Sequence, residues 1–426
     1  MNTAHLPSTT PSKGRILCVT SNFPRWTGDS TTPFVLHLAQ DLQRLGWTVD
    51  ILAPHAPGTA KKEQIEGITV ERFRYLWPDN AETVCYQGGA LINLRKNKSN
   101  LLKLPALIIA EWIAVLWRLT TRDYDLVHSH WILPQGFVGA VSAKLLRKPQ
   151  VLTVHGGDVF ALKGKILNTF KRFALWSADA VTVNSSVTEK AVTDIYDTPN
   201  HLERIPMGVA VENIDKNSAT ISAIKKRYIC SDGPLLIFVG RLVDEKGCSD
   251  LLHAIQILKS ELPNTSAIII GEGQDRENLE TLSKTLEITR QVHFLGWIQP
   301  NEVLNYIAAG DAFVGPSRTA KNGWVEAQGL TFLESMVALT PVIATRSGGI
   351  MDSVKEGETG LLVDEHSPEQ IANAIKTLHS DHDLAYQLTQ EARSQVERSF
   401  SRKASAKKFS CLFERLIPSH NTNTNG

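Results

Sequence analysis

Little in this sequence is in excess. Its five cysteines, Cys18, Cys85, Cys230, Cys248 and Cys411, lie far apart and form no C-x-x-C pair. That spacing suggests neither a zinc site nor a disulfide framework and fits a reducing compartment. Charge of one sign is also lacking: 45 Lys and Arg against 44 Asp and Glu leave a net charge of +1. No global basic field exists to attract nucleic acid, so any anion site must be local. The first thirteen residues, MNTAHLPSTTPSK, lack the apolar core of a secretory signal peptide and read as a disordered tail. The most apolar stretch, Leu101 to Leu119, is of about spanning length, but it contains Lys103, Pro105, Glu111 and Arg118, each expensive in hydrocarbon. A membrane-spanning helix is not expected there.

What is present is ordinary for a soluble globular chain: 42% apolar and 21% charged residues over 426 positions. At roughly 150 residues per domain, that length allows two or three domains. From Arg15 onward, short β-branched runs alternate with helical patterns, which argues for parallel sheets covered by helices. One series runs through RILCVTS, TVDILAP, DLVHSH, QVLTVHGGD and DAVTVNS. A second begins at PLLIFVG and continues through SAIIIGEG, QVHFLG, DAFVGPS, PVIATRSGG and GLLVDE. The expected organisation is a tail at 1–13, a Rossmann-like domain at 14–205 and a polar hinge at 206–232. A second Rossmann-like domain at 233–392, a basic terminal helix at 393–417 and a disordered tail at 418–426 complete it.

The strongest chemical signal is Glu326-Ala-Gln-Gly-Leu-Thr-Phe-Leu-Glu334, two carboxylates with seven residues between them around a Gly that opens a helix. If the helix begins near Gln328, the N–H groups of Gly329, Leu330 and Thr331 lack helical partners and offer a diphosphate site. Glu326, before the helix, then reaches a sugar, and Glu334, inside it, hydrogen-bonds ribose hydroxyls. Taken alone, the pair also reads as two solvated helix-face carboxylates. Gly240-Arg241-Leu242-Val243-Asp244-Glu245-Lys246-Gly247 follows a strand directly, at the edge that lines the ligand crevice of a doubly wound sheet. There Arg241 and Lys246 can neutralise a diphosphate and stabilise charge growing on a departing nucleotide; the plainer alternative is an exposed, salt-bridged turn. Gly271 and Gly273 offer close backbone approach or simply a tight turn, and Leu295 offers backbone contacts to a base.

In the first series, His155-Gly156-Gly157-Asp158 ends a strand. His155 sits at the crevice edge as a catalytic candidate or as a structural histidine, and Asp158 orients a loop or meets the acceptor. The loop containing Gly28 lies between strand and helix, where it can touch phosphates or sugar. It is not G-x-G-x-x-G, so dinucleotide binding loses support. His128 and His130 alternate along a strand like a metal pair, but no Cys or carboxylate partner is evident nearby, and no metal is expected.

With these pieces in order, the chain resembles family 4 glycosyltransferases of the GT-B fold over about Arg15 to Ile375. The carriers are the VGRL strand, GEG loop, FLGW strand end, E-x7-E run, and TRSGG and TGLLV segments. The resemblance implies two Rossmann-like domains facing a central cleft. It also implies transfer of a hexosyl group from a nucleotide-diphosphate sugar to a glycan or lipid-linked acceptor, with retention and without a metal or other cofactor. By it, Arg241 and Lys246 hold the diphosphate, Glu326 contacts the sugar, Glu334 the ribose, and His155 lies beside the reacting centre. The Gly28 loop closes on the donor. Ala327 departs from the family's frequent Gly. The expected setting is cytoplasmic, in cell-surface polysaccharide or glycolipid assembly. The alternative is a sugar-nucleotide sensor on the same fold. The patch Arg95, Lys96, Lys98 and Lys103, followed by Trp112, Trp117 and Arg118, reads either as a peripheral contact with the inner face of the plasma membrane or as an ordinary buried helix with solvated flanks. Donor, acceptor and oligomeric state are left open.

Overall fold

Runs such as LVHSH and QVLTV are buried at every position, as expected for strands covered on both faces. The computed structural model describes residues 12–29, 31–86, 89–161, 164–229 and 232–417. Most of the expected tails, 1–11 and 418–426, and Cys230 lie outside these residues. Ser12 and Lys13, expected in the first tail, are held: the Lys13 N–H donates to the Gly46 carbonyl (2.9 Å) and its ammonium pairs with Glu414 (2.6 Å).

The chain divides into two compact units. The first contains the residues up to Val183, Lys190–Ile205 and those from Ser405 on; the second contains Asn184–Glu189 and Pro206–Ala404. In the first unit, β1 (Gly14–Val19), β2 (Trp47–Pro54), β3 (Lys62–Ile65), β4 (Ile68–Phe73), β5 (Leu126–His130), β6 (Gln150–Val154), β7 (Ala180–Val183) and β8 (Leu202–Arg204) form one sheet in the order β3-β4-β2-β1-β5-β6-β7-β8. Only the β3–β4 pair is antiparallel. In the second, β9 (Leu235–Val239), β10 (Ser266–Ile270), β11 (Val292–Gly296), β12 (Ala312–Gly315), β13 (Val342–Thr345) and β14 (Leu361–Val363) form a parallel sheet in the order β11-β10-β9-β12-β13-β14.

Two segments differ from expectation. The 206–232 stretch is not irregular throughout: it contains the helix Ala219–Tyr228, capped by the Ser218 side chain, which accepts from the Ile221 N–H. The expected single terminal helix is interrupted. The helix His382–Gln395 runs into a wider turn at Val396–Phe400, Ser401 is extended, and a new helix, Arg402–Leu416, begins. The break has a cause, because Ser401 pairs with Val209 as a β-bridge, with Val209 N–H to Phe400 O and Arg402 N–H to Val209 O both at 2.9 Å. Gly208 permits this approach, since a Cβ there would meet the Arg402 backbone at 2.5 Å. Beyond Ala404 the last helix belongs to the first unit. Phe413 lies edge-on to Trp47 with ring centres 5.7 Å apart, and Trp47 donates to Ser410 at 2.9 Å.

Candidate active site

Where a parallel sheet winds outward in both directions from neighbouring strands, the loops at their carboxyl ends part, and the gap holds ligands. In the second unit this switch point lies between β9 and β12. The loop after β9 carries Arg241 and Lys246; the loop after β12 carries Glu326.

The first loop is shaped by a glycine. Gly247 has φ 66° and caps the helix Cys248–Leu258, and any Cβ there would run into the Pro316 carbonyl. The turn before it, Asp244–Lys246, is braced by Arg318, which donates to the Asp244 carbonyl (2.8 Å) and to Ser249 Oγ (2.9 Å). So positioned, Lys246 forms a salt bridge with Glu326. Burial pushes the Glu326 carboxyl up, but Lys246 and the nearby Arg241 outweigh it and hold the group below the usual range, ionised at neutral pH. The Arg241 guanidinium is exposed and forms no ion pair among the described residues, so it can meet an incoming anion.

The Glu326 loop is pinned on both sides. Gln328, nearly inaccessible, accepts from the Met207 N–H (3.0 Å) and donates to the Met207 carbonyl (2.6 Å). Gly349 donates to the Glu326 carbonyl at 2.8 Å, and Cβ atoms at Gly348 and Gly349 would collide with the backbone of Glu326 and Ala327. The paired glycines of TRSGG are therefore required by this crossing. The helix Leu330–Val337 starts two residues after the expected Gln328, with Gly329 (φ 74°) at its cap. The amides of Leu330 and Thr331 lie in its first turn, as the diphosphate reading needs. Glu334 sits one turn in, half-buried, where desolvation raises its carboxyl to about 7.

Gly271 and Gly273 lie at the carboxyl end of β10. Their missing side chains are explained by the neighbouring loop: Cβ atoms there would strike the carbonyls of Gly240 and Leu242, and Leu242 donates to the Glu272 carbonyl at 3.0 Å. The glycines thus set the height of the Arg241 loop. Leu295 closes β11, where Gly296 (φ 72°) accepts from the Gly271 N–H at 2.8 Å.

The first unit has its own switch point, between β1 and β5. Gly28 (φ 84°) is exposed in the loop after β1, with open space around its Cα. Asp29 braces that loop, accepting from the Arg25 N–H (2.9 Å) and from the Arg25 guanidinium (2.8 Å). His155 follows β6 and shares a 2.9 Å hydrogen bond, Nε2 to Nδ1, with His130, while the Phe34 and Trp131 rings stand 5.0 and 4.9 Å away. Burial lowers the His155 imidazole to about 3, so it is neutral at physiological pH. Asp158 is buried, and its Oδ2 accepts from the Ile132 N–H at 2.7 Å. It holds the turn at Trp131 (φ 71°) from inside.

Sequence reasoning missed a partner for the histidine pair. Cys18 of β1 is in register with His128 of β5, and the ligating atoms of Cys18, His128 and His130 lie within 4.8 Å of one another. By residue type these three could hold a soft metal ion. Each histidine makes one hydrogen bond, His128 Nε2 with Thr153 (2.7 Å) and His130 Nδ1 with His155 (2.9 Å), and His128 packs against Phe409 and Phe413, while the buried His130 Nε2 has no hydrogen-bond partner among the described residues. Also unforeseen were Arg318, which stands in no motif, and the role of Gln328, which lies inside the Glu326–Glu334 run; both act through contacts with residues far away in the chain.

Comparisons with known proteins agree with this architecture. The model described as "Glycosyltransferase Family 4" matches residues 32–213, and that described as "Glycosyl transferases group 1" matches 221–395. The D-inositol 3-phosphate glycosyltransferase of Corynebacterium jeikeium is 30% identical over 417 residues, covering 92% of this chain and 93% of that one. The GDP-mannose-dependent alpha-(1-6)-phosphatidylinositol monomannoside mannosyltransferase of Mycobacterium tuberculosis is 30% identical over 259 residues, 60% of this chain and 67% of that one. Anabaena HepE, solved in complex with UDP, superposes with a TM-score of 0.71 at 19% identity, over 94% of this chain and 100% of that one. Sucrose-phosphate synthase from Thermosynechococcus elongatus gives 0.73 at 22%, over 95% and 99%. The fold is GT-B, and the chain belongs to glycosyltransferase family 4. It is a glycosyltransferase.

Proposed function

We propose that this enzyme transfers a hexosyl group from a nucleoside-diphosphate sugar to a glycan or lipid-linked acceptor, with retention of anomeric configuration and without a metal. The observation that carries the reading is the Lys246–Glu326 salt bridge at the β9/β12 switch point, with Arg241 exposed beside it. A diphosphate arriving there meets Arg241, Lys246 and the first amides of the helix Leu330–Val337, together enough positive character to offset its charge. When it binds, Lys246 exchanges part of its hold on Glu326 for phosphate, and Glu326 is freed to accept hydroxyls of the sugar. Glu334 accepts from the ribose. As the sugar–phosphate bond lengthens, the same cations stabilise the leaving phosphate, whose oxygen takes the proton of the attacking acceptor hydroxyl on the face it leaves. In the first unit, His155 contributes a neutral imidazole to the reacting centre, and Gly28 leaves room for the donor.

Relatives named for GDP-mannose, inositol phosphate and phosphatidylinositol monomannoside support a role in cell-surface polysaccharide or glycolipid assembly, which we place in the cytoplasm. The test is saturation-transfer NMR and hydrolysis across UDP-, GDP- and ADP-sugars, with EDTA present throughout. Selective binding of one donor is expected, weakened in Arg241→Ala, with hydrolysis lost in Glu326→Ala. Turnover that vanishes with EDTA and returns with a divalent ion would overturn the metal-free reading. An inverted anomer in the product would overturn retention.

A further inference from the structure

The helix Leu104–Thr121 of the first unit is inside out. Its charged residues face the protein. Glu111 is fully buried beside Gln135, and Arg118 is buried against Glu71 at 3.0 Å. Apart from Thr120 and Thr121 at its end, its exposed residues are apolar, and Ile109, Trp112, Ile113 and Trp117 are 55, 39, 58 and 53% accessible. They recur at three- and four-residue intervals and so form one stripe. A helix in water places its charges and its large apolar groups the other way round. Arg118, expected in an outer patch with Trp112 and Trp117, is buried and belongs to none.

The neighbouring helices continue the pattern. Leu104–Thr121 packs on Phe137–Leu146, which packs on Lys165–Ser177. These two expose Leu145, Ile166, Phe170 and Trp176, and the Lys144 ammonium stands 3.4 Å over the Trp176 ring. Among the three helices the single acidic residue is the buried Glu111, whereas Lys144, Lys165 and Arg172 are exposed, as are Arg95, Lys96 and Lys98 just upstream. A chain of net charge +1 has therefore gathered cations without carboxylates around an apolar surface.

We infer that these three helices form a docking surface for an anionic lipid bilayer, with the stripe of Leu104–Thr121 lying in the interface plane and the surrounding cations on the headgroups. Tryptophan and isoleucine beside lysine and arginine suit the acyl–headgroup boundary, and each cation adds attraction to a negative leaflet. The charge pattern favours a bilayer over a second copy of the chain. Two such faces meeting about a twofold axis would oppose cation to cation with no carboxylate between. The stretch Lys98–Thr121 is long and apolar enough to cross a membrane by length and composition, but its inward Glu111 and Arg118 are committed to partners within the unit. It lies on the bilayer and does not span it. The inference adds a surface to the enzyme of lipid-linked acceptors proposed above, and its test needs neither donor nor acceptor.

The experiment is co-sedimentation of the full chain with phosphatidylcholine vesicles, with and without phosphatidylglycerol, at low and high salt. In parallel, tryptophan fluorescence is followed with brominated lipid. Binding that requires phosphatidylglycerol, weakens with salt and quenches tryptophan is expected. It should fall about tenfold or more in Trp112→Ser/Trp117→Ser and in Lys144→Glu/Arg172→Glu, with donor hydrolysis in solution and Tm unchanged. Absence of vesicle binding by the wild-type chain overturns the inference, as does binding that both variants retain. So does a wild-type chain that self-associates through this face while leaving vesicles alone. Should either variant fail to fold, quenching in the wild-type chain still decides.

Discussion

The two units place opposite chemistries at equivalent positions. At its switch point the second unit sets ionised groups, Lys246 against Glu326 with Arg241 alongside. At its own, the first sets imidazoles that burial keeps neutral, enclosed by Phe34 and Trp131. On the proposed reading, the charged crevice suits a diphosphate that must leave with its electrons, and the uncharged one suits a hydroxyl that must arrive without being held too firmly. The contrast is set by side chains at strand ends and not by the sheets, which differ mainly in strand number.

The sharpest way to break this contrast is to remove a charge from the second unit. Lys246→Ala should lower kcat by ~100- to 1000-fold, and because it strands the ionised Glu326, it should also destabilise the fold by about 3–5 kcal/mol. Turnover near the wild-type level in steady-state kinetics would mean that the charged crevice is not where the leaving group sits. A smaller effect concerns Glu334, whose carboxyl lies at about 7. If the ionised form accepts the ribose hydroxyls as proposed, donor KM should be lowest above that value and rise up to about tenfold per pH unit below it. Glu334→Gln should flatten the profile. A carboxyl raised in the folded state favours folding below its unfolded value, and that contribution is lost as pH rises through about 7. The Tm gain from Glu334→Gln should therefore be larger at pH 8 than at pH 5. The smallest effect belongs to the first unit. With His155 lowered to about 3, its NMR resonances should not titrate between pH 5 and 8, and an inflection in that window would erase the contrast.

Much of this was legible in the sequence because strand ends and glycines carry local signals. The strands of the second unit stand out as β-branched runs, Arg241 and Lys246 follow directly where β9 stops, and Glu326 and Glu334 bracket the glycine that opens the next helix. Three strands escaped notice: KEQI of β3 and LER of β8 have too few apolar positions to register, and ITVERF of β4 carries a Glu–Arg pair inside its apolar run. The helix Ala219–Tyr228 was hidden by its low apolar content, and the break at Ser401 by its cause, a pairing with Val209 nearly two hundred positions earlier. The same holds at the sites. Asp158 reads in the sequence as orienting a loop or meeting an acceptor, and only the fold shows its Oδ2 on the Ile132 amide. Cys18 looked solitary, and the β1/β5 register sets it beside His128. Distance along the chain conceals such contacts until the fold is known.

The last helix carries one more consequence. Phe409 and Phe413 cover the His128 ring, and Lys13 near the start pairs with Glu414 near the end. As the ribosome makes the chain from the amino end, the first unit's sheet emerges early, but the residues that cover part of it come after the whole second unit. The first unit therefore waits for the end of translation with that apolar surface bare. A premature stop anywhere in the second half damages both units.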